Sequence, residues 1–247
     1  MRCRACWKEL DQAYICPKCN GEFCQTHMAE PHYTNPMSPD ANSRPFGAVN
    51  LAFGWVSITI AVYVLYNFSF FAVGGPFNVP AWENFVFIFL IFGPALVLHE
   101  AMHIFAARKF GFPAGFKIWP LGVMIMLMVS LAGALFAAPG ATIIGSDENH
   151  QPSEAQLCVI AIAGPLMNIL FGLFSASIVG IGLLMRIPIV TEVGLYSAGI
   201  NTFLAGFNLL PVSILDGAKV YRSDKKLWAR FFFPSIIIGI IILFGIL

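Results

Sequence analysis

The sequence predicts an α-helical polytopic membrane protein with about five transmembrane helices, a re-entrant or β-hairpin element between them, and a small N-terminal domain held by zinc. Three observations predict it. The 247 residues are 58% hydrophobic and only 11% charged, with a mean hydropathy of +0.77, more apolar surface than one soluble core can hide. That surface falls in runs long enough to cross a bilayer. Finally, Cys3, Cys6, Cys16, Cys19 and Cys24 crowd the start of the chain, leaving Cys158 alone in an apolar run.

Residues 1–34 are polar, compact and Cys/His-rich, and the Cys-x-x-Cys pairs followed by His27 and His32 favour thiolate zinc ligation in a reducing compartment. Residues 35–48, opening Asn35-Pro36-Met37-Ser38-Pro39-Asp40, read as a linker. No apolar leader precedes them, so the first membrane helix is expected to direct insertion. Residues 49–247 form the membrane body, with spans expected at 50–73, 84–107, 156–185, 192–214 and 228–247.

The run 84–107 carries His99-Glu100-Ala101-Met102-His103 near its end. Positions i and i+4 share a helix face, so both imidazoles can ligate one Zn²⁺ while the neighbouring carboxylate serves a water. Ionisable groups at membrane depth are costly and mark function. Two histidines leave a catalytic zinc one protein ligand short, and Asp216 is the carboxylate that fits, closing the apolar run that follows Glu192. Pro211 and Gly217 are expected to let that helix bend and carry Asp216 to the metal.

The remaining run, 117–145, reads as a span by hydropathy alone. Parity argues otherwise. If the ends of 84–107 and 192–214 meet on one side, an even number of crossings separates them, and 117–145 must return to the side it left. A non-helical element at membrane depth survives only against protein, and Gly122 and Ile125 are expected on an edge strand open to extended substrate. Under this topology Arg108, Lys109, Lys117, Lys219, Arg222, Lys225 and Lys226 share one side and Arg186 alone lies opposite. The positive side is cytoplasmic, which puts the N-terminus and the metal site there as well.

Together these segments resemble the site-two protease family of intramembrane zinc metalloproteases. His99 to His103 matches its first signature. The stretch from Asn208 through Pro211 to Leu215-Asp216-Gly217 matches its Asn-x-x-Pro and Leu-Asp-Gly signature. Gly164-Pro165-Leu166-Met167-Asn168 is similar to its Gly-Pro-x-x-Asn motif, and Trp119-Pro120-Leu121-Gly122 falls where the family places a membrane-associated β-element. The resemblance implies that His99, His103 and Asp216 hold the catalytic zinc and that Glu100 is the general base. Asn168 and Asn208 become candidates to hold the substrate backbone or the developing oxyanion, since a buried amide donates at less cost than a charge. Implied substrates are transmembrane proteins, cut within the bilayer. The same residues also allow a membrane metal-ion carrier or sensor, or an inactive scaffold.

The N-terminal spacing resembles the AN-one type of zinc finger. That resemblance implies one structural zinc on Cys3, Cys6, Cys24 and His27, and a second on Cys16, Cys19 and His32, although Thr34 stands where the pattern has its last cysteine. Such a head is expected to recruit a cytosolic protein. Nucleic acid is excluded as a partner, because a net charge of +1 offers no concentrated basic surface.

Overall fold

In the computed structural model the described residues are 14–15, 22–23, 48–69, 77, 79–134, 139–145, 151–212 and 214–246. The candidate finger ligands Cys3, Cys6, Cys16, Cys19, Cys24, His27 and His32 lie outside them. Two short strands of the N-terminal region are described: β1 (Tyr14–Ile15) and β2 (Glu22–Phe23) pair antiparallel with Tyr14 opposite Phe23.

The membrane body begins with α1 (Ala48–Phe68) and α2 (Ala81–Lys109), about 31 and 43 Å long at 1.5 Å per residue. Their seam is tight at Gly93, where a Cβ would overlap the Trp55 indole. Trp55 Nε1 donates to Phe89 O at 2.7 Å, and its ring stacks on Phe89. Ile58, Ala61 and Val62 of α1 pack with Ile88, Ile91, Ala95 and Leu96 of α2 into the main apolar cluster. Glycine sets the end of α2. Gly111 sits at φ +86 while Gly111 N reaches Arg108 O at 3.0 Å and Phe112 N reaches Ala107 O at 3.0 Å, a Schellman closure that turns the chain back along the helix.

The chain then forms β3 (Ala114–Ile118), α3 (Pro120–Leu131) and β4 (Gly140–Ile144). The strands pair antiparallel, Ala114 opposite Ile144 and Ile118 opposite Gly140, so the intervening segment ends beside its own start. A helix of 12 residues reaches about 18 Å, short of the roughly 30 Å of hydrocarbon. The element expected to be re-entrant or a β-hairpin is thus a strand–helix–strand unit with paired strands, and Gly122 and Ile125 lie on α3 rather than on an edge strand. Pro120 at the first turn and the run of Met and Leu favour that helix.

Next come α4 (Glu154–Met185), α5 (Pro188–Asn208), α6 (Asp216–Ser223) and α7 (Lys225–Ile246). Ser153 and Gln156 open α4 with a capping box. The expected continuous helix over 192–214 instead stops at Asn208, and Asp216 starts a new one. Pro211 lies in the break. Trp228 Nε1 donates to Leu209 O at 2.6 Å, satisfying a carbonyl the ended helix leaves over, while Leu209 and Val220 pack with Cys158, Ala161 and Ile162.

Among the described residues three helices, α1, α2 and α4, have both the length and the apolarity to cross a membrane, against about five expected. α5 has 21 residues but carries Thr191, Glu192, Ser197, Asn201 and Thr202. It is an interior helix. Ser197 and Asn201 are buried, Ser197 Oγ lying 2.7 Å from Ser175 Oγ of α4, whereas Phe53, Leu90, Leu173, Leu184 and Ile241 are exposed outside. Apolar side chains turned outward, with the polar ones paired inside among an apolar core, suit a lipid surround.

The two left-handed helix ends give a paired stability test. No neighbour lies within 4 Å of a Cβ at Gly111, so Gly111→Ala should lose only conformational energy, about 1–2 kcal/mol. Arg186 holds φ 55 without being glycine, so Arg186→Gly should gain about 1 kcal/mol. Thermal unfolding in detergent reads both, and shifts of the same sign would contradict the assignment.

Candidate metal centre

α2 delivers His99 and His103 one turn apart on its buried face, with Nε2 atoms 3.0 Å from each other. The start of α6 delivers Asp216, whose Oδ2 lies 3.4 Å from His99 Nε2 and 3.0 Å from His103 Nε2. Donors on a tetrahedral zinc with bonds of 2.0–2.1 Å stand about 3.3 Å apart, so the three atoms already occupy one face of such a site. Gly217 makes this approach possible, because a Cβ there would overlap the backbone of Leu209. Lys219 Nζ lies 3.6 Å from the other carboxylate oxygen, Asp216 Oδ1.

The outward ring nitrogens are fixed. His99 Nδ1 is 3.0 Å from Asn168 Oδ1, and His103 Nδ1 is 2.7 Å from Ile160 O. Ile160 O and Asn168 Oδ1 both accept, so each Nδ1 is the donor, and each Nε2 is left to offer its lone pair to a metal ion. Two bare imidazole nitrogens and a carboxylate oxygen facing one another in a buried pocket repel unless a cation sits among them. The donor set fits zinc on that ground, and α4 supplies the outer contacts that orient metal-ligating histidines.

Gly164 of α4 closes the site from the third side. A Cβ there would overlap His103 Nε2 and lie 2.7 Å from His99 Nε2, so only glycine leaves room. Asn168, one turn further on, is fully buried, and its Nδ2 has no partner among the described residues. Its described contact is with a histidine rather than with space for substrate.

Glu100 is buried on α2 beside both histidines, and its Oε2 accepts a hydrogen bond from Thr142 Oγ1 at 2.6 Å. Asn208, at the end of α5, donates from Nδ2 to Leu204 O at 3.0 Å within its own helix. The structure therefore brings together His99, Glu100, His103, Asp216 and Asn168 and leaves Asn208 engaged elsewhere. Thr142 and the spatial role of Gly164 go beyond the sequence expectations. The glycine was signalled by its Gly-Pro context on an apolar helix. Thr142 had no sequence signal, because strand register alone places it.

Peptidase family M50 matches the chain over residues 87–186. A protein of Methanocaldococcus jannaschii named "Putative zinc metalloprotease" is 34% identical over 173 residues, covering 68% of this chain and 87% of its own length. No solved structure gives a significant match.

Gly164→Ala separates metal binding from helix stability. Alanine favours an α-helix over glycine by about 1 kcal/mol, so helicity by circular dichroism should hold. Bound zinc, measured on protein purified in detergent, should fall at least about tenfold in affinity as the histidines are pushed apart. Unchanged zinc affinity would mean that His99 and His103 do not hold the ion.

Proposed function

The chain belongs to peptidase family M50, whose members are membrane zinc metalloproteases, and from that premise we propose that it hydrolyses peptide bonds within transmembrane segments of other proteins. The observation that carries the proposal is the convergence of His99, His103 and Asp216 beside the buried Glu100. A carrier would release its ion. Here an acid-base group stands next to a site whose histidines are locked from behind.

Zinc, when bound, supplies Lewis acidity that makes a water nucleophilic near neutral pH and polarises the scissile carbonyl. Glu100 accepts the proton of the attacking water and hands it to the leaving amine. Asn168 and Ile160 O hold the two imidazoles in the tautomer that leaves Nε2 free to ligate. Asn168 is thereby a positioning residue in this reading, while Asn208 spends one N–H on Leu204 O and keeps its second N–H and its Oδ1 for substrate.

A helical substrate hides its carbonyls, so the target segment must unwind before it is cut. We assign the outer edge of β4 as the place where the extended segment docks, by strand addition. The membrane body is read as a multi-pass unit in which α5 and α7 join α1, α2 and α4 as crossings, with the N-terminus and metal site on the cytoplasmic side. The Cys/His-rich head is proposed as a zinc finger with structural ions that recruits a cytosolic protein.

Wild type and Glu100→Gln, reconstituted in liposomes with a tagged single-span protein, test the reading. The variant should keep its zinc and lose cleavage by at least about a thousandfold, since general-base and metal chemistry act as a unit here. Asn168→Ala should cost about 10- to 100-fold in zinc affinity or turnover. Equal cleavage by wild type and Glu100→Gln, or zinc flux through wild-type liposomes, would count against a protease.

A further inference from the structure

The ladder between β3 and β4 has a parity that its hydrogen bonds fix. Gly145 N reaches Pro113 O at 2.7 Å and Trp119 N reaches Pro139 O at 2.9 Å. Residues 113, 115, 117 and 119 therefore turn their backbone groups towards β4, and 139, 141, 143 and 145 towards β3. The alternate groups of β3 point the other way and are occupied. Asn50 Nδ2 donates to Phe116 O at 3.0 Å, and Arg108 Nη2 donates to Ala114 O at 2.8 Å. On β4 the alternate residues are Gly140, Thr142 and Ile144, and among the described residues no strand pairs with that edge.

Thr142 thus faces two ways. Its backbone N–H and C=O belong to the open edge, while its hydroxyl donates to Glu100 Oε2 at 2.6 Å. A longer approach to Glu100 O, 3.4 Å, competes weakly for the same hydrogen. A two-stranded sheet is marginally stable by itself, and among the described residues the strand that carries Thr142 has β3 as its one strand neighbour, so a docked segment would give it a second.

We propose that Thr142 is the positioning residue for Glu100, and that docking of an extended substrate segment along Gly140, Thr142 and Ile144 fixes the strand and with it the general base. The proposal rests on the protease reading above. Substrate recognition and base orientation then meet at one residue, and a segment that cannot add as a strand binds without being cut efficiently.

Four proteins and two substrates test it. Thr142→Val keeps the shape and β propensity but removes the hydroxyl, whereas Thr142→Ser keeps the hydroxyl. With a single-span substrate, Thr142→Val should lower kcat roughly 10- to 100-fold with KM and bound zinc unchanged, the size expected for a lost hydrogen bond to a charged group. Thr142→Ser should stay within about threefold of wild type. The same transmembrane segment, made as a peptide N-methylated at alternate backbone amides, should lose much more kcat in wild type than in Thr142→Val, because the two changes break one coupled device. Equal losses in Ser and Val, a loss of zinc or a raised KM in place of lowered kcat, or additive effects of methylation and substitution would each overturn the proposal. Wild-type activity in Thr142→Val beside an inactive Glu100→Gln sinks this inference alone. An active Glu100→Gln sinks the protease reading beneath it.

Discussion

Three lone-pair donors stand within 3.4 Å of one another, two on buried histidines and one on the partly exposed Asp216, and they repel unless a cation lies among them. Every helix around the site serves that constraint. α2 supplies two donors at i and i+4, α6 supplies the third, and α4 accepts the two imidazole protons that leave those donors bare. The exterior is apolar for the opposite reason, since it meets a solvent that hydrogen-bonds to nothing.

Backbone interruptions do the assembling. Proline at 165 removes the N–H that would bond Ala161 O of α4, one residue beyond Ile160, whose carbonyl accepts a hydrogen bond from His103 Nδ1. The stop at Asn208 and restart at Asp216 let a carboxylate approach from the end of a helix rather than from its side. Glycines at 164 and 217 permit the contacts, each lying where a single methyl group would strike the site or its backbone support. The β3–β4 unit adds a face of another kind, laid over Glu100 and anchored through Asn50 and Arg108.

Much of this was written in the order of residues. His99, Glu100 and His103 carried their geometry in their spacing, and Asp216 stood out as a carboxylate after a long acid-free run. Parity of the crossings led to the expectation that 117–145 turns back, and Ile118 pairs with Gly140, which brings the two ends of that segment together. Hydropathy failed where it counts composition rather than backbone hydrogen bonds. It carried the α5 run through Pro211, and it did not separate a short Met- and Leu-rich helix from a hairpin, although Pro120 and Gly133 flank that helix as start and stop signals. Thr142 was illegible for a deeper reason: a threonine in a strand faces either side, and one residue of register decides which.

The short helix that carries Asp216 has a consequence for how damage to this protein is interpreted. Eight residues are too few to be helical in isolation, so the third donor is held in place by Cys158, Ala161, Ile162 and Leu209 packing against Val220. Inheritance of a defect need not track the polar residues at all. A bulky or missing methyl group in that apolar seam would empty the site as surely as losing a ligand, and a genetic screen for inactive variants would return both kinds together.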